Sequence, residues 1–150
     1  LKASKFVYSP NTSLISVIVT DVWKGLSVST VIYIAGLQAI DRTYYEAAEI
    51  DGASRLQTFW NITLPLVRPA MNTVIILSLI GGLKSFDLIK TMTDGGPGNS
   101  STVLALTVYR QFANGYYGMS TTGNIIMLVM ISLISYPLQK FLLSREVSQL

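Results

Sequence analysis

Three apolar runs decide what this chain can become. Thr12 to Ile40 is interrupted only by Asp21 and Lys24. Leu66 to Leu83 reads "LVRPAMNTVIILSLIGGL", and Ser120 to Leu138 contains the uninterrupted core "IIMLVMISLISYPL". Each approaches the roughly 20 residues that an α-helix needs to cross a bilayer. None alternates apolar with polar residues as paired strands do, so each is expected to satisfy its own backbone as a helix. The expected fold is an all-α, polytopic membrane helical bundle of about three spans. Charged residues make up 13% of the chain and mean hydropathy is +0.47, against about 25% charged in a soluble domain.

The same composition excludes several chemistries. With no cysteine and no histidine, the chain has no disulfide, thiol nucleophile, imidazole base or usual zinc ligand set. A carboxylate pair is the remaining catalytic route, and Asp21 and Asp87 lie on separate runs with no supporting motif. Gly95-Gly96-Pro97-Gly98 is followed by no Gly-Lys-Ser/Thr, so it is no phosphate loop. The expectation is a non-enzyme without metal or cofactor. The net charge of +3 is spread out, and no basic cluster suggests nucleic acid. The chain starts at Leu1 and has no signal-peptide layout, which suggests a fragment.

Connections carry the punctuation. Thr43 to Glu46 fits a capping box, Ala47, Ala48 and Glu49 propagate a helix, and Gly52 supplies the left-handed closing position. Ser54 to Gln57 is a second capping box, predicted to open a helix through about Trp60 that Leu64-Pro65 stops. Two such short helices are unstable alone in water and must dock on something. Ile50, Phe59, Trp60 and Ile62 are candidate anchors to the bilayer or to neighbouring spans. From the residues alone this is a helix–glycine turn–helix connector between spans.

Further on, Asp94 to Ser100 is a Gly/Pro loop, and Ser100 or Ser101 is placed to cap a short helix over Thr102 to Phe112. Tyr109, Phe112, Tyr116 and Tyr117 suit an interfacial aromatic belt. With the Tyr44 connection inside, that side holds Arg42, Arg55, Arg68, Lys140 and Arg145, against Lys2, Lys5, Lys90 and Arg110 outside. The positive-inside rule favours this arrangement slightly.

Polar residues near the runs have two readings each. Asp21 and Lys24 can pair at i, i+3 as an intramembrane functional site. Alternatively they lie at the far interface, since Asp21 is 20 residues before Asp41, about 30 Å along a helix. Lys84, Ser85, Phe86 and Asp87 suit either a sugar-facing cavity end or an interfacial anchor. Asn72 and Ser78 lie within a span, where polar groups face the bundle or a cavity. Ser78 and Gly82 also form a small-xxx-small packing pair.

The connector "EAAEIDGASRLQTFWNITLPL" resembles the EAA loop of binding-protein-dependent ABC importer permeases. Glu46, Ala47, Ala48, Gly52, Ile62, Leu64 and Pro65 match its pattern in order. The fuller form, which includes Asp51 and Ala53, resembles the carbohydrate-uptake branch with maltose-type and glycerol-phosphate-type permeases. So do "AGLQAI" at Ala35 to Ile40 and "TDGGPGNSST" at Thr93 to Thr102. The resemblance implies a type I importer permease fold, with the connector as a cytoplasmic coupling hairpin and the 102–112 helix on the outer side. It implies a multi-pass subunit of the bacterial or archaeal cytoplasmic membrane. Its implied partners are ABC ATPase subunits, a second permease subunit and an extracytoplasmic solute-binding protein. Residues 1–150 would be the carboxyl-terminal part of the transmembrane domain. Rival expectations are an ion-coupled secondary transporter using Asp21, Lys24 or Asp87, and a non-transporting membrane scaffold.

Overall fold

The computed structural model describes residue 7 and residues 9–147, with side chains up to residue 144. Lys2 and Lys5 of the charge count therefore lie outside the described residues, as does the side chain of Arg145. Among the described residues every regular element is helical: α1 (Ser13–Gln38), α2 (Arg42–Ile50), α3 (Arg55–Thr58), a π-helical turn (Phe59–Thr63), α4 (Leu64–Leu66), α5 (Arg68–Leu83), α6 (Asp87–Met92), α7 (Leu104–Ala113) and α8 (Tyr117–Val147). Among the described residues, two helices are long and apolar enough to cross a membrane, Ser13–Gln38 and Tyr117–Ser144. The first, at 26 residues, is about 39 Å long. The second absorbs Pro137 without a break and runs well beyond the expected Leu138.

The middle run departs from expectation. Leu64-Pro65 does not stop a helix at Trp60; the chain winds on from Arg55 to Leu66 through the π turn. In that wider turn the Leu64 N–H reaches back to the Phe59 carbonyl, so the chain passes Pro65, which has no N–H to give. The axis then bends by 57° between Arg55–Leu66 and Arg68–Leu83. Pro69, in the first turn of α5, withdraws the donor that would continue the ladder across Val67. With 16 residues, α5 is about 24 Å long, short of the ~30 Å hydrocarbon core. The third span exists only if the bent pair counts as one.

Helix pairs are set by small residues. A Cβ on Gly36 would lie 2.5 Å from Ala70 Cβ and 3.4 Å from Val67 Cγ2, so α1 and α5 approach backbone to backbone there. A Cβ on Gly123 would meet Val108 Cγ2 at 2.6 Å, the corresponding crossing of α7 and α8. Asn72 Nδ2 donates to the Leu142 carbonyl at 3.5 Å. That bond puts the late part of α8, with Lys140, beside the start of α5 and on the side of the α2–α3 connector.

At the opposite end lies the most tightly buried part of the chain. Val17 of α1, Ile89 of α6 and Leu106 of α7 form its centre, with Phe86, Leu88, Met92 and Val103 packed around it. The 93–102 loop closes over this cluster through its own hydroxyls. Thr93 and Ser101 hydroxyls lie 2.8 Å apart, Ser101 donates to the Gly96 carbonyl at 2.8 Å, and Ser13 and Ser100 hydroxyls join α1 to the loop at 2.9 Å. Arg110 donates to the Asp94 carbonyl and, at 3.3 Å, to Asn99 Oδ1. Ser100 and Ser101 are thus engaged inside the loop and do not cap the following helix, which starts at Leu104 after an uncapped Val103. The Lys90 ammonium, 2.7 Å from Asp94 Oδ1, donates a hydrogen bond to the Asp94 carboxyl and holds it below the usual carboxylate range.

Two tests follow from this packing. Gly36→Val should lower the melting temperature of the purified protein, since overpacking costs about 1–3 kcal/mol. Gly25→Ala, where an added Cβ meets nothing, should not. The depressed Asp94 carboxyl stabilises the fold above the ordinary carboxylate pKa, and the contribution disappears as pH falls through its lowered folded value. Asp94→Asn should therefore melt below wild type at neutral pH and converge on it as the pH falls through the lowered folded value.

Candidate functional site

Two features stand out from the bundle: the α2–α3 hairpin and a cavity between α1 and α5. The hairpin begins with Asp41, whose Oδ1 accepts from the Thr43 N–H at 2.9 Å. Asp41 is the N-cap of α2, so the expected Thr43–Glu46 box does not form. Both residues are good caps two positions apart, and the helix starts at the earlier one, gaining two residues. The Thr43 backbone bond first, then its hydroxyl, pulls the Asp41 carboxyl below its ordinary range.

α2 ends as the glycine predicts. Gly52 sits at φ +72; its N–H bonds to the Glu49 carbonyl at 3.1 Å and the Ala53 N–H to the Ala48 carbonyl at 2.9 Å. These two bonds make a Schellman closure, which needs a left-handed residue at this position. One residue later the second box forms as expected: Ser54 N–H donates to Gln57 Oε1 at 2.8 Å, and Gln57 N–H to Ser54 Oγ at 3.4 Å. The Tyr45 and Thr63 hydroxyls, 3.2 Å apart, tie α2 to the π turn.

The result is a hairpin with two faces. Ala47, Ala48, Asp51, Ala53 and Ile62 line a groove of about 510 Å³ together with Tyr44, Gln57, Thr58 and Asn61. Glu46 lies on the other face with Arg42, Glu49 and Arg55. Among the described residues, none of these four charges closes an ion pair within the chain. Gly52 stands at the tip with open space around it, while Leu64 and Pro65 sit half-buried in α4. Of the candidate anchors, Ile50 is 87% exposed, Trp60 58% and Phe59 46%, while Ile62 is half-buried in the groove. Sequence reasoning missed Tyr44, Gln57 and Asn61, which join the groove only once α3 folds back on α2.

The second feature is a cavity of about 490 Å³. α1 contributes Asp21, Lys24, Gly25 and Ser29, and α5 with the segment after it contributes Ser78, Gly82, Lys84, Ser85, Phe86 and Asp87. Four of the candidate pathway residues, Ser78, Lys84, Phe86 and Asp87, are therefore brought together. Asn72 lies apart, bonded to α8. Ser78 and Gly82, read as a packing pair, face open space, and a Cβ on Gly82 would touch nothing within 4 Å. Asp21 does not pair with Lys24, nor Lys84 with Asp87, among the described residues. All four charges remain available to an occupant. Residues 21, 25, 29 and 32 recur at helical spacing, a signal from which the α1 wall could have been read.

Residues 5–147 match the family described as "binding-protein-dependent transport system inner membrane component". The trehalose/maltose transport system permease protein of Thermococcus litoralis is 38% identical over 123 residues, covering 82% of this chain and 42% of that protein. The multiple sugar-binding transport system permease protein of Streptococcus mutans is 38% identical over 126 residues, 83% of this chain and 43% of that protein. The sulfoquinovosyl glycerol transport system permease protein of Agrobacterium fabrum is 41% identical over 102 residues, 68% and 33% respectively. The chain spans less than half the length of these three relatives.

The geometry of the tip makes a local prediction. Because φ at Gly52 is positive but the space is open, the cost of substitution is conformational, about 1–2 kcal/mol for a residue that resists the left-handed region. Gly52→Ala should speed amide exchange at residues 51–53, and Gly52→Asn, which tolerates that region, should do so much less.

Proposed function

This chain belongs to the binding-protein-dependent transport system inner membrane component family, the permeases of ABC importers, and from that premise we propose its role. It is part of the membrane subunit of an ATP-driven importer, and it forms a stretch of the path for a sugar or sugar-like solute. Three relatives named for sugar or sugar-derivative transport support the solute class. The cavity chemistry agrees with it: carboxylates, ammoniums and serine hydroxyls around Phe86 offer hydrogen bonds and a ring face to a polyhydroxylated ligand.

The observation that carries the proposal is the uncovered hairpin. Its groove of alanines, its unpaired charges and its exposed Ile50 and Trp60 form a contact surface with no partner among the described residues. We assign that partner as the ATPase subunit. Glu46, Ala47, Ala48, Asp51, Gly52 and Ala53 make the contact, while Ile62, Leu64 and Pro65 join it to α5. The short capped helices transmit motion as a unit because both ends of α2 are tied down. The hairpin and the C-terminal end of α8 then face the cytoplasm, an orientation supported by Arg42, Arg55, Arg68 and Lys140 on that side. A second permease subunit completes the path and a solute-binding protein delivers to the outer side.

Gly52→Asp places a side chain and a charge at the tip of the contact. In the complete transporter in proteoliposomes, uptake of the solute carried by its binding protein should fall to background. Uptake at the wild-type rate would refute the coupling role.

A further inference from the structure

We propose that Tyr109 of α7 is a positioning residue for the α1–α5 cavity, acting through Phe86; this rests on the reading of that cavity as part of the solute path. Phe86 has two surroundings. One side lines the cavity, and the other packs on the Val17–Ile89–Leu106 cluster. Tyr109 does not line the cavity; its ring stands beside Phe86 with centroids 5.0 Å apart and planes inclined at 49°. It therefore backs the aromatic wall that a solute would meet.

Tyr109 has a second contact. Lys90 Nζ lies 5.5 Å from the centre of its ring, within the range of cation–π attraction. The same ammonium bonds Asp94 Oδ1 at 2.7 Å, and Arg110, the next residue after Tyr109, grips the 93–102 loop through the Asp94 carbonyl and Asn99 Oδ1. A contiguous chain of contacts thus runs from that loop through Lys90 and Tyr109 to one wall of the cavity. The loop motif, which has no chemistry of its own, gains a purpose: it fixes the aromatic wall.

These 150 residues contain no cysteine, and labelling of an introduced thiol is read at its own position by peptide mapping. Ser78→Cys in the full-length permease, assembled with its partner subunits, is treated with a charged, water-soluble methanethiosulfonate reagent, and 4-fluorophenylalanine at position 86 supplies a 19F signal. Tyr109→Leu should let the Phe86 ring withdraw into the vacated space. The 19F line should shift or broaden and the Ser78→Cys reaction should speed up about two- to tenfold, as loss of an aromatic pair implies. Tyr109→Phe should restore both readouts, and Tyr109→Met serves in place of the leucine variant where that protein fails to assemble. An unchanged 19F line and rate in the ring-less variant would overturn the assignment. A Ser78→Cys thiol that the reagent never reaches, even with Tyr109 intact, would instead overturn the cavity reading beneath it.

Discussion

The close approach of α1 to α5 at Gly36 and Ala70 is the contact on which the rest of the architecture depends. No hydrophobic drive brings helices together inside a lipid bilayer, so small residues that let backbones touch take over that task. Here a Cβ on Gly36 would sit 2.5 Å from that of Ala70. The helices are pinned together beside the hairpin. Farther along they stand apart, and the space between Asp21 to Ser29 and Ser78 to Asp87 becomes the cavity. The opposite end is closed by α6, α7 and the hydroxyl-rich loop.

The hairpin joins this pinned pair through an unusual piece of helix. Between Phe59 and Thr63 the winding is π-helical, and at Val67 the axis bends by 57°. Two prolines account for both features, each by lacking a backbone donor. Val67 is buried against Gly36 at the bend, so hairpin, bend and pinning contact are neighbours in space. A force applied at the hairpin tip reaches α5 at the point where α5 meets α1. In this arrangement the proposed coupling surface and the cavity are two ends of one continuous segment of chain.

Much of this was legible in the residues, for local reasons. α1 and α8 follow from the length of their apolar runs, and Gly52 and the Ser54–Gln57 box from backbone chemistry confined to a few positions. Features that depend on distant neighbours were not legible. Asp41 outcompetes Thr43 as the cap, although both are competent. Pro65 reads as a stop, but the π turn carries the helix past it. α6 is only 6 residues long and is supported by the Val17–Ile89–Leu106 cluster rather than by its own pattern. Ser78, paired with Gly82, reads more readily as a packing residue than as a cavity residue until α1 is placed opposite it. Nothing in "AGLQAI" announces that its glycine is the point of closest contact with α5.

The central claim is that the face of the hairpin lined by Ala47 and Ala48 seats the ATPase subunit. A photo-crosslinking amino acid at position 47, in the complete transporter in native membranes, tests it most directly. The account predicts a single dominant adduct with the ATPase subunit, lost when the ATPase is omitted. Crosslinking only to lipid, or to the solute-binding protein on the outer side, would contradict it.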